Sequence, residues 1–102
     1  MDKFEIKLNN YRNALARLHE AIKESKSTES LTVRDGVIQR FEFTSELAWK
    51  TIREYLLSQE VTDINSPKRV MIEAYNNELI TDEEGWIQVL HDRNSTSHIY
   101  DE

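Results

Sequence analysis

The chain has 102 residues, 38% of them hydrophobic and 31% charged, with a net charge of −6. That length suits one small domain and excludes a multi-domain enzyme, while the acidic balance argues against unspecific coating of nucleic acid, which needs many cations facing phosphate. The absence of cysteine excludes a disulfide scaffold, a thiolate nucleophile and a Cys-ligated zinc.

Two glycines and one proline are too few turn residues for an all-β protein, so the expected class is all-α. Residues 2–26 read as the first helix. Phe4, Leu8, Tyr11, Leu15, Leu18 and Ile22 recur at steps of four and three, and at 100° per residue they fall within about an 80° stripe. Ser25 to Ser30 is a polar break. Residues 32–59 read as the second helix, with Val37, Phe41, Ala48, Ile52 and Tyr55 on one face. Ile38, Trp49 and Leu56 widen that face, and Phe43 and Leu47 lie on another side. Only a strip of Asp35, Glu42, Glu46, Lys50 and Arg53 stays charged. A helix apolar on most sides must touch more than one neighbour, and in so short a chain a second copy is one candidate. The expectation is a homodimer.

After a connection over 60–65, Ser66 and Pro67 signal a helix start, with a capping side chain and proline at the first helical position. This third helix runs to about Asn77 and carries Val70, Met71 and Ala74. Thr81-Asp82-Glu83-Glu84 reads as a capping box opening a fourth helix with Trp86, Val89, Leu90 and Arg93. Asn94 to Ser97 reads as a break, and His98-Ile99-Tyr100-Asp101-Glu102 as the first turn of a further element. The first residues hold no apolar core for a signal peptide, and no apolar run approaches the length of a membrane span. The expected location is the cytoplasm.

Charge is unevenly spread. Residues 1–51 hold 9 Lys or Arg against 8 Asp or Glu, a sum of +1; residues 52–102 hold 4 against 11, a sum of −7. Arg93 is the only Lys or Arg from Val70 onward. It opens the constellation Arg93-x4-His98-x-Tyr100, with Asn94 beside it. Arginine supplies a planar cationic fork for phosphate, and histidine a group that moves protons near neutral pH. Tyrosine supplies a hydroxyl donor or an acceptor for modification. The plainer alternative is that Arg93 complements the negative end of its helix, with His98 on the surface and Tyr100 packing its ring. His91, His98, Asp92 and Asp101 have poor metal-ligand spacing, and Asp82, Glu83 and Glu84 are the acids a helix start favours. No metal site and no cofactor are expected. Phe41, Phe43, Trp49, Tyr55 and Trp86 read as core or interface rather than a base-stacking platform.

Two segments together resemble a known family. Arg40-Phe41-Glu42-Phe43-Thr44-Ser45-Glu46-Leu47-Ala48-Trp49-Lys50 resembles the second-helix signature of the nucleotidyltransferase substrate-binding proteins, and Arg93 to Glu102 resembles the R-x4-H-x-Y motif of the same family, within the HEPN superfamily. The resemblance implies one HEPN-like domain over 1–102, an up-and-down bundle of four to five helices that pairs as a homodimer. Family members continue into a further long helix after the motif, so this chain is expected to lack that helix or not to show it. The resemblance also implies a minimal nucleotidyltransferase partner in a toxin–antitoxin pair. The HEPN member is then a metal-independent endoribonuclease acting on RNA and not on DNA. Arg93 would hold the scissile phosphate, His98 would act as acid and base, and Tyr100 would receive AMP from the partner. The alternative is a non-catalytic substrate-binding subunit of a two-component nucleotidyltransferase.

Overall fold

The computed structural model describes residues 2–96. These form four helices in chain order: α1 (Lys3–Ser25), α2 (Leu31–Ser58), α3 (Pro67–Asn76) and α4 (Glu83–Thr96). No strand occurs among the described residues. The arrangement is an all-α, up-and-down helical bundle. α2 is the hub on which α1, α3 and α4 all pack, with α3 also against α4. Three neighbours account for part of its wide apolar circumference, and Leu31, Phe43 and Leu57 stay exposed. At 28 residues and about 1.5 Å per residue it spans close to the 46 Å length of the molecule.

Helix starts follow local chemistry. Asp2 Oδ1 accepts from Glu5 N at 2.8 Å, Ser30 Oγ from Val33 N, and Ser66 Oγ from Arg69 N with Pro67 in the first turn. α4 differs from the sequence reading by one residue. Asp82 is its cap, with Oδ1 accepting from Gly85 N at 2.9 Å, so Thr81 is not the cap of a Thr-x-x-Glu box. A carboxylate is the stronger acceptor beside the positive end of a helix. The expected break at Asn94 is also absent, because α4 continues through Thr96. Ser95 Oγ donates back to His91 O at 3.1 Å, which satisfies a hydroxyl that would otherwise compete with the helix.

α1 and α2 run antiparallel and meet through small residues. Ala14, Ala21, Ala48, Thr44, Ser45 and Thr51 are buried, which lets the two backbones come close. The buried hydroxyls find carbonyls across the interface: Thr44 Oγ1 donates to Ala14 O at 3.3 Å and Thr51 Oγ1 to Lys7 O at 3.2 Å. Arg40 Nη1 adds a bond to Arg17 O at 2.8 Å. The large residues of the α1 stripe are only half-buried, and Ile22 is 36% exposed. Hydrophobicity alone thus pointed to the flank of the α1–α2 contact, while the alanines make its centre.

The apolar centre lies where α2 turns into α3. Leu56, Val70, Met71 and Ala74 are fully enclosed, and Ile64, from the connection, joins Leu56 and Val70 with Trp49, Ile52 and Val61 packed around them. Gly36 sits within α2 with no atom that a Cβ would meet within 4 Å. Gly36→Ala should therefore stabilise the protein by about 0.5–1 kcal/mol, through helix propensity and a less flexible unfolded chain. A thermal melt by circular dichroism checks this, and a lower midpoint refutes it. Gly85→Ala makes the contrasting case. A Cβ there would strike the Asp82 carboxylate, so the lost cap offsets the gain.

Candidate functional site

Arg93 lies in the last turn of α4, where a cation complements the helix dipole. Its side chain is one-third exposed, and its Nη2 lies 3.5 Å from Glu46 Oε2 on α2. Glu46 is itself held on two sides. Trp49 Nε1 donates to Oε2 at 3.1 Å, and Lys50 Nζ lies 3.4 Å from Oε1. The Lys50 ammonium also sits 5.9 Å from the centroid of the Trp49 ring, within cation–π range. Residues 46, 49 and 50 share one helical face by their i, i+3, i+4 spacing. One turn earlier, Glu42 Oε1 is enclosed with no hydrogen-bond partner among the described residues.

These contacts place part of the charged strip on α2 against other elements. Glu46 faces α4, and Arg53 Nε donates to Ile64 O at 3.4 Å in the α2–α3 connection. The strip is a seam against neighbours at those positions rather than a solvated face. Arg93, which stands isolated among acids in sequence, is ion-paired in space. Asn94 is exposed on the same last turn. His98 and Tyr100 lie outside the described residues, as does Asp101. His91 is exposed and lies 3.7 Å from the Asp92 carboxylate. Among the described residues no three of His, Cys, Asp or Glu converge in a way that could hold a metal ion.

A second feature was not anticipated from the sequence. An apolar cleft of about 250 Å³ is lined by Phe4, Tyr11, Ile52, Tyr55, Leu79 and Trp86, and the Phe4 and Tyr55 rings meet at 5.3 Å. A smaller cleft of about 170 Å³ adjoins it, with Leu15, Leu18, Phe41 and Val89. Tyr11, Ala48 and Trp86 line both clefts. Burial pushes the Tyr11 phenol above its usual pKa. The half-buried stripe of α1 is the signal that marked this flank, since a stripe left half-covered implies a groove beside it. Such a wall offers little to a charged nucleotide, and its volume falls below that of a typical pocket for a drug-sized ligand. No helix among the described residues is long and apolar enough to cross a membrane.

The all-helical bundle and its helix order agree with the fold that the resemblance implies. A search of curated proteins found no match to this chain. A family model described as "nucleotidyltransferase substrate binding protein like" matches residues 6–102, from within the first turn of α1 through α4 and the run from Arg93 to Glu102, and the chain belongs to that family.

Proposed function

We propose that the chain is the non-catalytic, substrate-binding subunit of a two-component nucleotidyltransferase. It docks on the catalytic subunit and brings to it the group that receives the nucleotide. The family match over residues 6–102 carries this reading. The described surface supports it: Phe43 is 62% exposed and Leu31 69%, and large apolar side chains left in water favour a protein partner. The Arg93 guanidinium is paired with Glu46 across α2 and α4, which suits a binding element better than a reaction centre. The working location is the cytoplasm. The chain alone is a homodimer, with the exposed side of α2 at Phe43 as the pairing surface.

The test is coexpression with a minimal nucleotidyltransferase from the same source, followed by size exclusion and incubation with radiolabelled ATP. A stable complex and nucleotidyl transfer that requires this chain are expected. Light scattering of the chain alone should give twice 12.1 kDa. Failure to form a complex at micromolar concentration removes the reading.

The finer alternative is the endoribonuclease toxin, silenced when its partner adds AMP to Tyr100. The observation that favours it is the Arg93-x4-His98-x-Tyr100 run, with Arg93 in the last turn of α4 and partly open to solvent. In that reading Arg93 holds the phosphate, His98 moves the proton, Asn94 supports the site, and two copies of the motif face one RNA strand.

A further inference from the structure

The two apolar clefts share residues and run into one another as a single trough. α1 and α4 both pack on α2 and scarcely touch each other, so the space between them is open. One wall is the α1 stripe from Phe4 to Leu18, and the other is Trp86 and Val89 of α4. From Phe4 to Leu18 the trough follows helix for about 21 Å. Its floor on α2 runs from Tyr55 to Phe41, an equal distance.

The hydroxyls in this floor are already spent. Thr44 donates to Ala14 O, Thr51 to Lys7 O and Ser45 to Glu42 O. An extended peptide laid here would gain no backbone partner from them, and burying unpaired N–H and C=O groups is costly. A helix satisfies its own backbone and lays an apolar face into such a groove through side chains at i, i+3, i+4 and i+7. The small side chains of Thr44, Ser45 and Ala48 leave room for large ones from the other side.

Charge at the rims selects among helices. At 100° per residue the α1 stripe is followed, on the side away from α2, by Arg12, His19 and Lys23, all exposed, with Glu5 only at the Phe4 end. Neither Arg12 nor Lys23 has an ion pair among the described residues. On the α4 side Asp92 is engaged by Gln88 at 2.9 Å, and Asp82 caps the helix. The trough thus favours acids on the edge that meets α1. A second copy of this chain is poorly suited. The helix face it leaves open around Phe43 is flanked by Arg40 and Lys50, which would set cation against cation.

We propose that this trough seats an amphipathic helix of the nucleotidyltransferase subunit, about four turns long, with acidic side chains on the edge that meets Arg12 and Lys23. This rests on the two-component reading above and adds to it the docking surface and the kind of segment that fills it. Phe43 lies about 140° around α2 from Ala48 at 100° per residue, so self-pairing and partner binding use different faces.

The test uses the full chain labelled with nitrogen-15, read at its two tryptophan indole N–H signals and assigned with Trp86→Phe. The probes are two synthetic 15-residue helical peptides. They share one leucine stripe and differ along one edge of it, glutamate in one and lysine in the other. The glutamate peptide should move the Trp86 signal saturably and leave that of Trp49, packed at the α2–α3 junction, in place. It should bind about tenfold tighter than the lysine peptide, the scale of two exposed ion pairs gained or lost. Val89→Arg should abolish binding of both peptides. Arg12→Glu, at an exposed position, should erase the preference between them, and it decides the matter if Val89→Arg melts early. Adding the nucleotidyltransferase subunit should displace a fluorescein-labelled glutamate peptide, seen as a fall in anisotropy. A Trp86 signal that ignores both peptides, or answers them equally, overturns the proposal. So does one that shifts with the chain's own concentration, which assigns the trough to a second copy, or peptide binding that appears only after removal of residues 97–102, which assigns it to the chain's own end. A complex that forms while the peptide stays bound overturns this docking site and leaves the two-component reading standing, whereas no complex at all removes both.

Discussion

On the ribonuclease reading, His98→Ala is expected to lower the rate of RNA cleavage by about 10²–10⁴, the usual loss when a positioned acid or base is removed. The reaction in question is attack by the RNA 2′-hydroxyl on the adjacent phosphorus. The P–O5′ bond breaks, and the products carry a 2′,3′-cyclic phosphate and a free 5′-hydroxyl. His98 moves the proton, and Arg93 offsets charge on the phosphate oxygens. Arg93→Lys should fail as well, because an ammonium does not reproduce a planar fork on two oxygens. DNA lacks the nucleophile and should stay intact, and EDTA should leave the rate unchanged. Cleavage that stops with EDTA, or that treats DNA and RNA alike, rules this chemistry out. A wild-type protein that leaves RNA uncut, while forming the complex with its nucleotidyltransferase, decides for the binding subunit.

Leu56→Ala has the largest expected effect on stability. Leu56 is fully enclosed and lies at the junction of α2, the α2–α3 connection and α3, against Ile64 and Val70. Truncating such a leucine removes its transfer free energy and leaves a cavity, a loss of about 2–5 kcal/mol. For a chain of this size each kcal/mol shifts the midpoint by about 4–8 °C, so a fall of more than about 8 °C is expected. Leu57→Ala is the control. Leu57 is the next residue along but 43% exposed, and its loss should stay within about 0.5 kcal/mol. Melts at one fixed protein concentration keep any self-association equal across variants. Equal effects at positions 56 and 57 would show that the junction is not the centre of the fold.

Much of the fold was legible because punctuation and periodicity agreed. Ser66-Pro67 marked the start of α3 to the residue, and Val70, Met71 and Ala74, read as its apolar face, are all fully buried. Two other readings went astray for identifiable reasons. Asn94-Ser95-Thr96 looks like a break by propensity, yet Ser95 spends its hydroxyl on the carbonyl of His91 and the helix continues. The centre of the α1–α2 contact was missed because Ala14, Thr44 and Thr51 count little on a hydrophobic scale, although small side chains are what permit the closest approach. At the candidate site, Arg93 was found from its isolation in an acidic half. Its pairing with Glu46 was hidden because 47 residues separate the two in sequence, and only the packing of α4 on α2 brings them together.

The three bonds that tie α1 to α2 have an order built into the chain. Arg40 reaches back 23 residues to Arg17, Thr44 reaches 30 to Ala14, and Thr51 reaches 44 to Lys7. The entropy of closing a loop rises only slowly with its length, so each rung, once made, leaves the next a short remaining closure. The pair of helices fastens outward from the turn between Ser25 and Leu31, like a zip with its slider at that end. Cutting the chain within this turn would remove the slider. The first rung would then have to form by encounter of two separate pieces, and a fastening that is now independent of protein concentration would come to depend on it.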